Sequence, residues 1–264
     1  MTAESHVRVD GRRLAYVDFG GTGAPVLALH GHFGRARMFA PLAAALAPGH
    51  RVIALEQRGH GHSDRAAEFT PAGYVADAAE FLRRLDLGPV VVLGHSMGGV
   101  VAFQLAARHP ELVRALVVAD AAARNRQPEV AHPVLDVRGW PRRAPTLRAL
   151  RDQVEALGIP DATYFLESAV EHPDGWGFLF DQADMMASQQ ALVGDWWPDW
   201  LASTCPALLV HGQDSIVLPT AMAREMAGQR PNTRLREFPG CGHWVHDDDP
   251  VGFAHAVQEF LDTV

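Results

Sequence analysis

The chain contains no lysine and only two cysteines, Cys205 and Cys241, among its 264 residues. No P-loop lysine therefore exists, and no G-x-G-x-x-G follows the first apolar run to offer a dinucleotide site. Two cysteines are too few for a disulfide framework, and both are expected as free thiols. No run of about 18 apolar residues occurs, so no transmembrane helix and no membrane partner are expected. The stretch from Met1 to Gly11 lacks the apolar centre of a secretory signal, which makes the cytoplasm the expected location. Clustered positive charge is missing too. Twenty-three basic residues face 31 acidic ones, for a net charge of −8. The arginines are scattered, which argues against nucleic acid as a partner. Histidine is plentiful, with 14 copies, and His30, His32, His60, His62 and His95 fall near strand ends that converge. Yet there is no H-E-x-x-H, and the cysteines lack zinc-ligand spacing, so no metal is expected.

What is present is a rhythm of short apolar runs and helical stretches. Val7 to Arg12 reads as a hairpin with Asp10-Gly11 at its turn, and Leu14 to Asp18 returns. Pro25–Leu29, Arg51–Leu55, Pro89–Leu93, Leu112–Ala119, Ala207–Val210 and Thr233–Phe238 are the further strands. Helices are expected over Arg37–Leu46, from Thr70-Pro71 to about Leu87, over Val100–Arg108, Leu218–Met226 and Val251–Leu261. Such alternation is most economically a largely parallel sheet with helices on both faces. The rhythm breaks after Asp120. Residues 121–203 hold prolines and tryptophans but no clear strand, and read as a helical lid. Its helices are expected over Leu147–Leu157, from Asp161 to Val170, and over Asp184–Val193. The core domain would then be residues 1–120 and 204–264.

Gly94-His95-Ser96-Met97-Gly98-Gly99 follows the β-branched run directly and precedes a buried helix. A G-x-S-x-G between strand and helix is a nucleophile elbow, which exposes its serine at the carboxyl edge of the sheet. Ser96 needs a base, and His243, in Gly240-Cys241-Gly242-His243-Trp244 beyond the last strand, is the expected one; His246 is the weaker alternative. Asp214, after the strand ending in His211-Gly212, is the expected acid to orient His243. Asp120 also ends a strand and competes for that role. The oxyanion hole should combine the N–H of Met97 with that of His32, or less simply Phe33, in His30-Gly31-His32-Phe33-Gly34. Substrate contacts are expected from His30, Phe33, His95, Trp140, Trp176 and Trp197, although His30 also reads as a ligand for its own loop and some tryptophans as lid anchors.

Together, His30-Gly31, Arg58-Gly59-His60-Gly61-His62-Ser63, the serine elbow, His211-Gly212-Gln213-Asp214 and Gly242-His243 resemble the α/β-hydrolase superfamily. Within it the chain is similar to small bacterial serine esterases, lactonases and cofactor-free perhydrolases. The resemblance implies an α/β-hydrolase fold: a mostly parallel sheet of about eight strands flanked by helices, with a helical lid inserted after strand six. It also implies Ser96, Asp214 and His243 as the triad, and no cofactor. Two departures stand out. Glu56 replaces the aspartate usual before Arg58-Gly59, and His32-Phe33-Gly34 replaces the aromatic-proline pair of perhydrolases. The expected activity is therefore hydrolysis of an ester or lactone of a small, apolar or aromatic molecule. C–C bond hydrolysis of a dienoic acid is an alternative, with Arg35 or Arg37 meeting the carboxylate. A lyase on the same fold and a non-catalytic receptor are further alternatives, and a homodimer stays open.

Overall fold

The structure is a computed structural model that describes residues 3–264. Met1 and Thr2, the start of the stretch expected to lack a secretory signal, lie outside the described residues. The chain opens with β1 (Ala3–Val9) and β2 (Arg12–Asp18), an antiparallel hairpin. Its turn residues Asp10 and Gly11 both have positive φ, 48° and 80°, as a two-residue hairpin turn requires. β3 (Ala24–Leu29) follows, then a 3-10 turn over Ala36–Phe39 that runs into α1 (Ala40–Leu46). β4 (His50–Leu55) precedes α2 (Pro71–Arg84), whose Thr70 cap accepts a hydrogen bond from the Gly73 N–H. β5 (Val90–His95), α3 (Met97–Arg108) and β6 (Val113–Ala119) complete the first part.

Residues 121–203 are less helical than expected. They contain β7 (Arg124–Asn125), α4 (Leu147–Glu155), α5 (Thr163–Leu166), β8 (Ala169–His172) and β9 (Gly175–Phe178), followed by α6 (Gln182–Leu192), β10 (Gly194–Asp195) and α7 (Trp197–Ala202). β8 and β9 form a hairpin, and β7 pairs with β10. The helix expected from Asp161 to Val170 stops at Leu166. The Ser168 hydroxyl turns away to donate to the Phe33 carbonyl, and Ala169 pairs with Phe178. The regular pattern then resumes with β11 (Ala207–Gly212), α8 (Thr220–Gln229), β12 (Thr233–Phe238), α9 (Val245–Asp248) and α10 (Pro250–Leu261).

Eight strands form the main sheet in the order β1-β2-β4-β3-β5-β6-β11-β12. From β4 to β12 all neighbours are parallel; β2 is antiparallel to both β1 and β4. β5 is buried along its whole length, as a central strand covered on both faces must be. One apolar cluster lies between the sheet and α2 and α3, another between the sheet and α1 and α10. A third belongs to residues 121–203 and is built around Trp140, Leu150, Phe165 and Met185. Phe33, from the loop after β3, plugs into that third cluster and links it to the sheet edge. Among the described residues no helix is long and apolar enough to cross a membrane. Cys205 and Cys241 are both free thiols.

Candidate active site

Ser96 stands between β5 and α3 with φ 54° and ψ −121°, a conformation L-residues rarely adopt. Two contacts hold it there. The Ser96 N–H donates to the Ala119 carbonyl at the end of β6, and its own carbonyl accepts from Gly99 and Val100 at the start of α3. Glycine is required around it. A Cβ on Gly94 would lie 2.1 Å from the Gly98 carbonyl oxygen, and one on Gly98 would lie 2.2 Å from that of Leu29. The strand and helix thus touch backbone to backbone, and the strain is confined to the serine between them.

His243 follows β12 in a loop that returns over the same edge. The His95 ring nitrogen Nε2 lies 2.9 Å from the His243 carbonyl oxygen, so the residue beside the serine holds the histidine loop. The two rings are 4.6 Å apart. Burial drives the His95 pKa well below its ordinary value, so its ring is neutral and donates from Nε2. The bond leaves its Nδ1 buried without a partner. His246 also packs against His95, with ring centroids 4.5 Å apart, and burial lowers its pKa to about 3.

The acid that meets His243 is Asp120, not the expected Asp214. Asp120 Oδ2 lies 2.7 Å from His243 Nδ1 and 2.5 Å from the Ser215 hydroxyl, which donates to it. Asp120 Oδ1 takes the Gly212 N–H at 3.2 Å and lies 3.3 Å from His211 Nδ1. Burial would raise the pKa of this carboxyl, but hydrogen bonds from His211 and His243, the charge of His243, and the Ser215 bond together lower it. The physical reason lies in the backbone. Asp120 has φ 48° at the end of β6, and its N–H still donates to Val210 on neighbouring β11. That turn places the carboxylate over the end of β11. Asp214 sits two residues beyond β11, exposed, with only its N–H engaged, to Cys241. The end of β11 and the turn after it therefore contribute donors to the acid. With Nδ1–H committed to Asp120, His243 has Nε2 free to accept a proton.

The loop after β3 is fixed from two sides. His30 is fully buried; its Nδ1 lies 2.8 Å from the Gly31 carbonyl and its Nε2 accepts the Gln57 N–H at 3.0 Å. The Gly31 carbonyl also accepts from Gly34, so the His32 N–H, trans to it across the peptide, points the opposite way. Tyr164 Oη donates to the His32 carbonyl at 3.0 Å, and Ser168 donates to that of Phe33. Burial raises the Tyr164 pKa, so this phenol stays a donor. Glu56 explains the loop after β4. It is fully buried, accepts Arg35 Nε at 3.0 Å and the His62 N–H at 2.5 Å, and leaves no room for a Cβ on Gly61, whose φ is +56°.

Ser96, His243, His32, Phe33 and Met97 share the wall of one cavity of about 460 Å³. Most of the rest of that wall is apolar: Val100, Val130, Leu135, Ile159, Phe165 and Trp244 among others. Asn125, His132, Asp161, Gln189 and Tyr164 add polar groups, and no arginine reaches the wall. Of the six residues expected to contact substrate, Phe33 alone lines it. His30 and His95 are buried behind it, each holding backbone. Trp140 stacks on Phe33 from the far side at 5.9 Å. Trp176 lies on β9 against the third cluster. Trp197 lies 4.0 Å beneath the Arg124 guanidinium and donates to Gln229 on α8. These tryptophans anchor residues 121–203 rather than face the cavity. The sequence reading missed Tyr164 and Trp244. Trp244 directly follows the proposed base, and that adjacency was the available signal. Arg35 pairs with Glu56 and Glu4, and Arg37 with Glu4, so neither serves the cavity. No group of three or more metal-ligating side chains occurs among the described residues.

A family profile described as alpha/beta hydrolase family matches residues 26–256. The chain is 29% identical over 269 residues to 2-(acetamidomethylene)succinate hydrolase of Mesorhizobium japonicum, covering 97% of this chain and 94% of the relative. It is 28% identical over 250 residues to the mouse sn-1-specific diacylglycerol lipase ABHD11, covering 89% and 80%. A crystal structure of E-2-(acetamidomethylene)succinate hydrolase superposes with a TM-score of 0.88 at 24% identity, over 100% of both chains.

Proposed function

The chain belongs to the alpha/beta hydrolase family, and from that premise we propose that it hydrolyses an uncharged, largely apolar carboxylic ester or lactone through an acyl-enzyme on Ser96. The observation that carries this reading is the cavity itself. It places Ser96 and His243 at an apolar wall that no arginine reaches, in a chain without lysine. Among charge-bearing side chains on that wall besides the histidines, a carboxylate substrate would meet only Asp161, itself held as a carboxylate, and so would be repelled as well as desolvated. A relative whose name denotes a succinate derivative is therefore a guide to the fold and the reaction type, and not to the substrate. The same argument tells against a dienoic acid and its C–C bond.

In the proposed reaction the Ser96 hydroxyl oxygen attacks the carbonyl carbon as its proton passes to His243 Nε2. Asp120 holds the Nδ1–H and stabilises the imidazolium. The tetrahedral oxyanion rests on the N–H groups of Met97, at the start of α3, and His32. Collapse of the intermediate breaks the bond to the leaving oxygen, which takes the proton from His243. Water then adds to the acyl-enzyme while His243 accepts its proton, and the acid leaves as Ser96 recovers its hydrogen. The test is a panel of p-nitrophenyl esters of increasing acyl length and of simple lactones, run with wild type and Ser96→Ala. Hydrolysis by wild type and a loss of about 10⁴-fold or more in the variant are expected. Undiminished turnover by Ser96→Ala, or a preference for anionic over uncharged acyl groups, would overturn the reading.

A further inference from the structure

Resting on the ester or lactone reading, we propose that the His32 side chain is a fixed hydrogen-bond donor to the substrate. Its imidazole is locked as the Nδ1–H tautomer by a buried chain of hydroxyls, and that N–H serves a second oxygen of the substrate, close to the scissile carbonyl.

The chain runs from Tyr74 on α2 through Ser188 on α6 to His32. Tyr74 and Ser188 are 3% and 1% exposed. Tyr74 Oη lies 2.7 Å from Ser188 Oγ, which lies 2.9 Å from His32 Nε2. Counting protons decides their direction. Burial raises the Tyr74 pKa, so the phenol keeps its hydrogen, and Ser188 Oγ is its one acceptor among the described residues. Tyr74 therefore donates to Ser188. The single Ser188 hydrogen then has two candidate acceptors, His32 Nε2 at 2.9 Å and Met97 Sδ at 3.8 Å. A thioether sulfur is the much weaker acceptor, so the hydrogen goes to Nε2. Burial and the neighbouring His60 and His243 lower the His32 pKa to about 3, so the ring is neutral. A neutral imidazole that accepts at Nε2 carries its proton on Nδ1.

That Nδ1–H has no partner among the described residues. Unlike Nε2 of His60 and Nδ1 of His95, it is not sealed away from solvent. His32 lines the same cavity as Ser96 and His243. The donor is thus offered to whatever fills the cavity, on a wall that is otherwise mainly apolar. An unmet polar group there costs binding energy, so the site should favour an acyl group or lactone ring bearing a further carbonyl, hydroxyl or ether oxygen. The chain of hydroxyls also bridges the core and residues 121–203, and it reaches the loop whose backbone is proposed to hold the oxyanion.

Two measurements test this. In protein labelled with ¹⁵N-histidine, the side-chain nitrogen spectrum at neutral pH should show His32 as Nδ1–H. Ser188→Ala should move it toward Nε2–H, because nothing then donates to Nε2. A wild-type ring protonated on Nε2 would overturn the proposal. The second measurement compares p-nitrophenyl methoxyacetate with p-nitrophenyl butanoate, each kcat/KM corrected for alkaline reactivity. Wild type should favour the oxygenated ester by about tenfold. His32→Asn keeps a donor near the Nδ1 position and should retain the preference, whereas His32→Leu should abolish it. Thermal melts of both variants establish that they fold. Equal ratios in wild type and His32→Leu would overturn the proposal. Failure to hydrolyse either ester would count against the hydrolase reading, while the nitrogen spectrum would still judge the locked tautomer by itself.

Discussion

The ends of β6 and β11 each carry an aspartate, and the two fare oppositely. Asp120 is buried, and four groups converge on its carboxylate: His243, His211, Ser215 and the Gly212 N–H. Asp214 is exposed, and only its main chain is engaged. Topology alone makes them equivalent candidates, because the strands are parallel neighbours and both ends face the serine edge. The difference comes from one backbone turn. At Asp120 a positive φ swings the side chain sideways over β11, whereas β11 runs on through His211 and Gly212 before its loop begins. A strand end supplies the acid when its last residue turns across the neighbour, and supplies donors when it continues.

The sharpest way to break this comparison is to neutralise each aspartate separately. Asp120→Asn should lower kcat/KM by about 10³- to 10⁴-fold, because the amide favours the wrong His243 tautomer and no longer stabilises the imidazolium. Ester hydrolysis, paired with the labelling rate of Ser96 by a fluorophosphonate, measures it. A loss below tenfold would mean that another group orients His243.

Next in size is the acid limit of the active edge. His30, His60 and His246 are buried, and their pKa values are lowered to about 4, 3 and 3, chiefly by burial. Each stays neutral when folded and takes up a proton near pH 6.5 when unfolded. The unfolded state then binds more protons, so stability is complete above pH 6.5 and is lost as pH falls toward 4. Each such group contributes a slope of up to about 1.4 kcal/mol per pH unit; His32 and His95 add in the same direction, and Asp247, raised by burial to about 6, offsets one of them. The total stability of a typical domain is about 5–15 kcal/mol. Urea unfolding between pH 7 and 5 measures the slope. His246→Leu should reduce it by about one proton, and a flat profile would contradict neutral burial.

These particulars also show how far the sequence could be read. The elbow, the hairpin at Asp10-Gly11 and the Thr70 cap are local devices, legible because neighbouring residues decide them. Ser96 and His243 were legible because their glycine-rich contexts fix where they lie on the sheet. The acid was not, since choosing between two strand ends depends on the φ of Asp120 and on donors 91 to 123 residues away. Residues 121–203 were the least legible. β8 and β9 are four residues each, too short for a periodicity to stand out, and the chain just before β8 is tied to the Phe33 loop by Ser168. The tryptophans at 140, 176 and 197 misled because their partners are the Phe33 face, the third apolar cluster and the Arg124 and Gln229 side chains, all set by distant parts of the chain.

A finer test concerns the donors around Asp120. Ser215 donates to the same oxygen that meets His243, and its Oγ also accepts from the N–H groups of Val217 and Leu218. Ser215→Ala should lower kcat/KM by about tenfold, the effect of about 1.4 kcal/mol, which is typical of one hydrogen bond to a charged group. Ser215→Thr, which keeps the hydroxyl, should recover most of it. Equal losses in both variants would assign the effect to the turn rather than to the carboxylate.

The smallest expected effect falls on the residue that the sequence put forward as the acid. Asp214→Asn removes a charge from an exposed side chain and leaves its N–H bond to Cys241 intact. Surface substitutions of this kind typically change stability by less than about 0.5 kcal/mol, and the contact between Asp120 and His243 is untouched by the change. Activity should stay within about twofold of wild type, since no mechanism for a larger loss is present. A loss of a hundredfold, with the fold intact by circular dichroism, would show that His243 exchanges one acid for the other during turnover, and the contrast between the two strand ends would then describe one state of the enzyme instead of its working one.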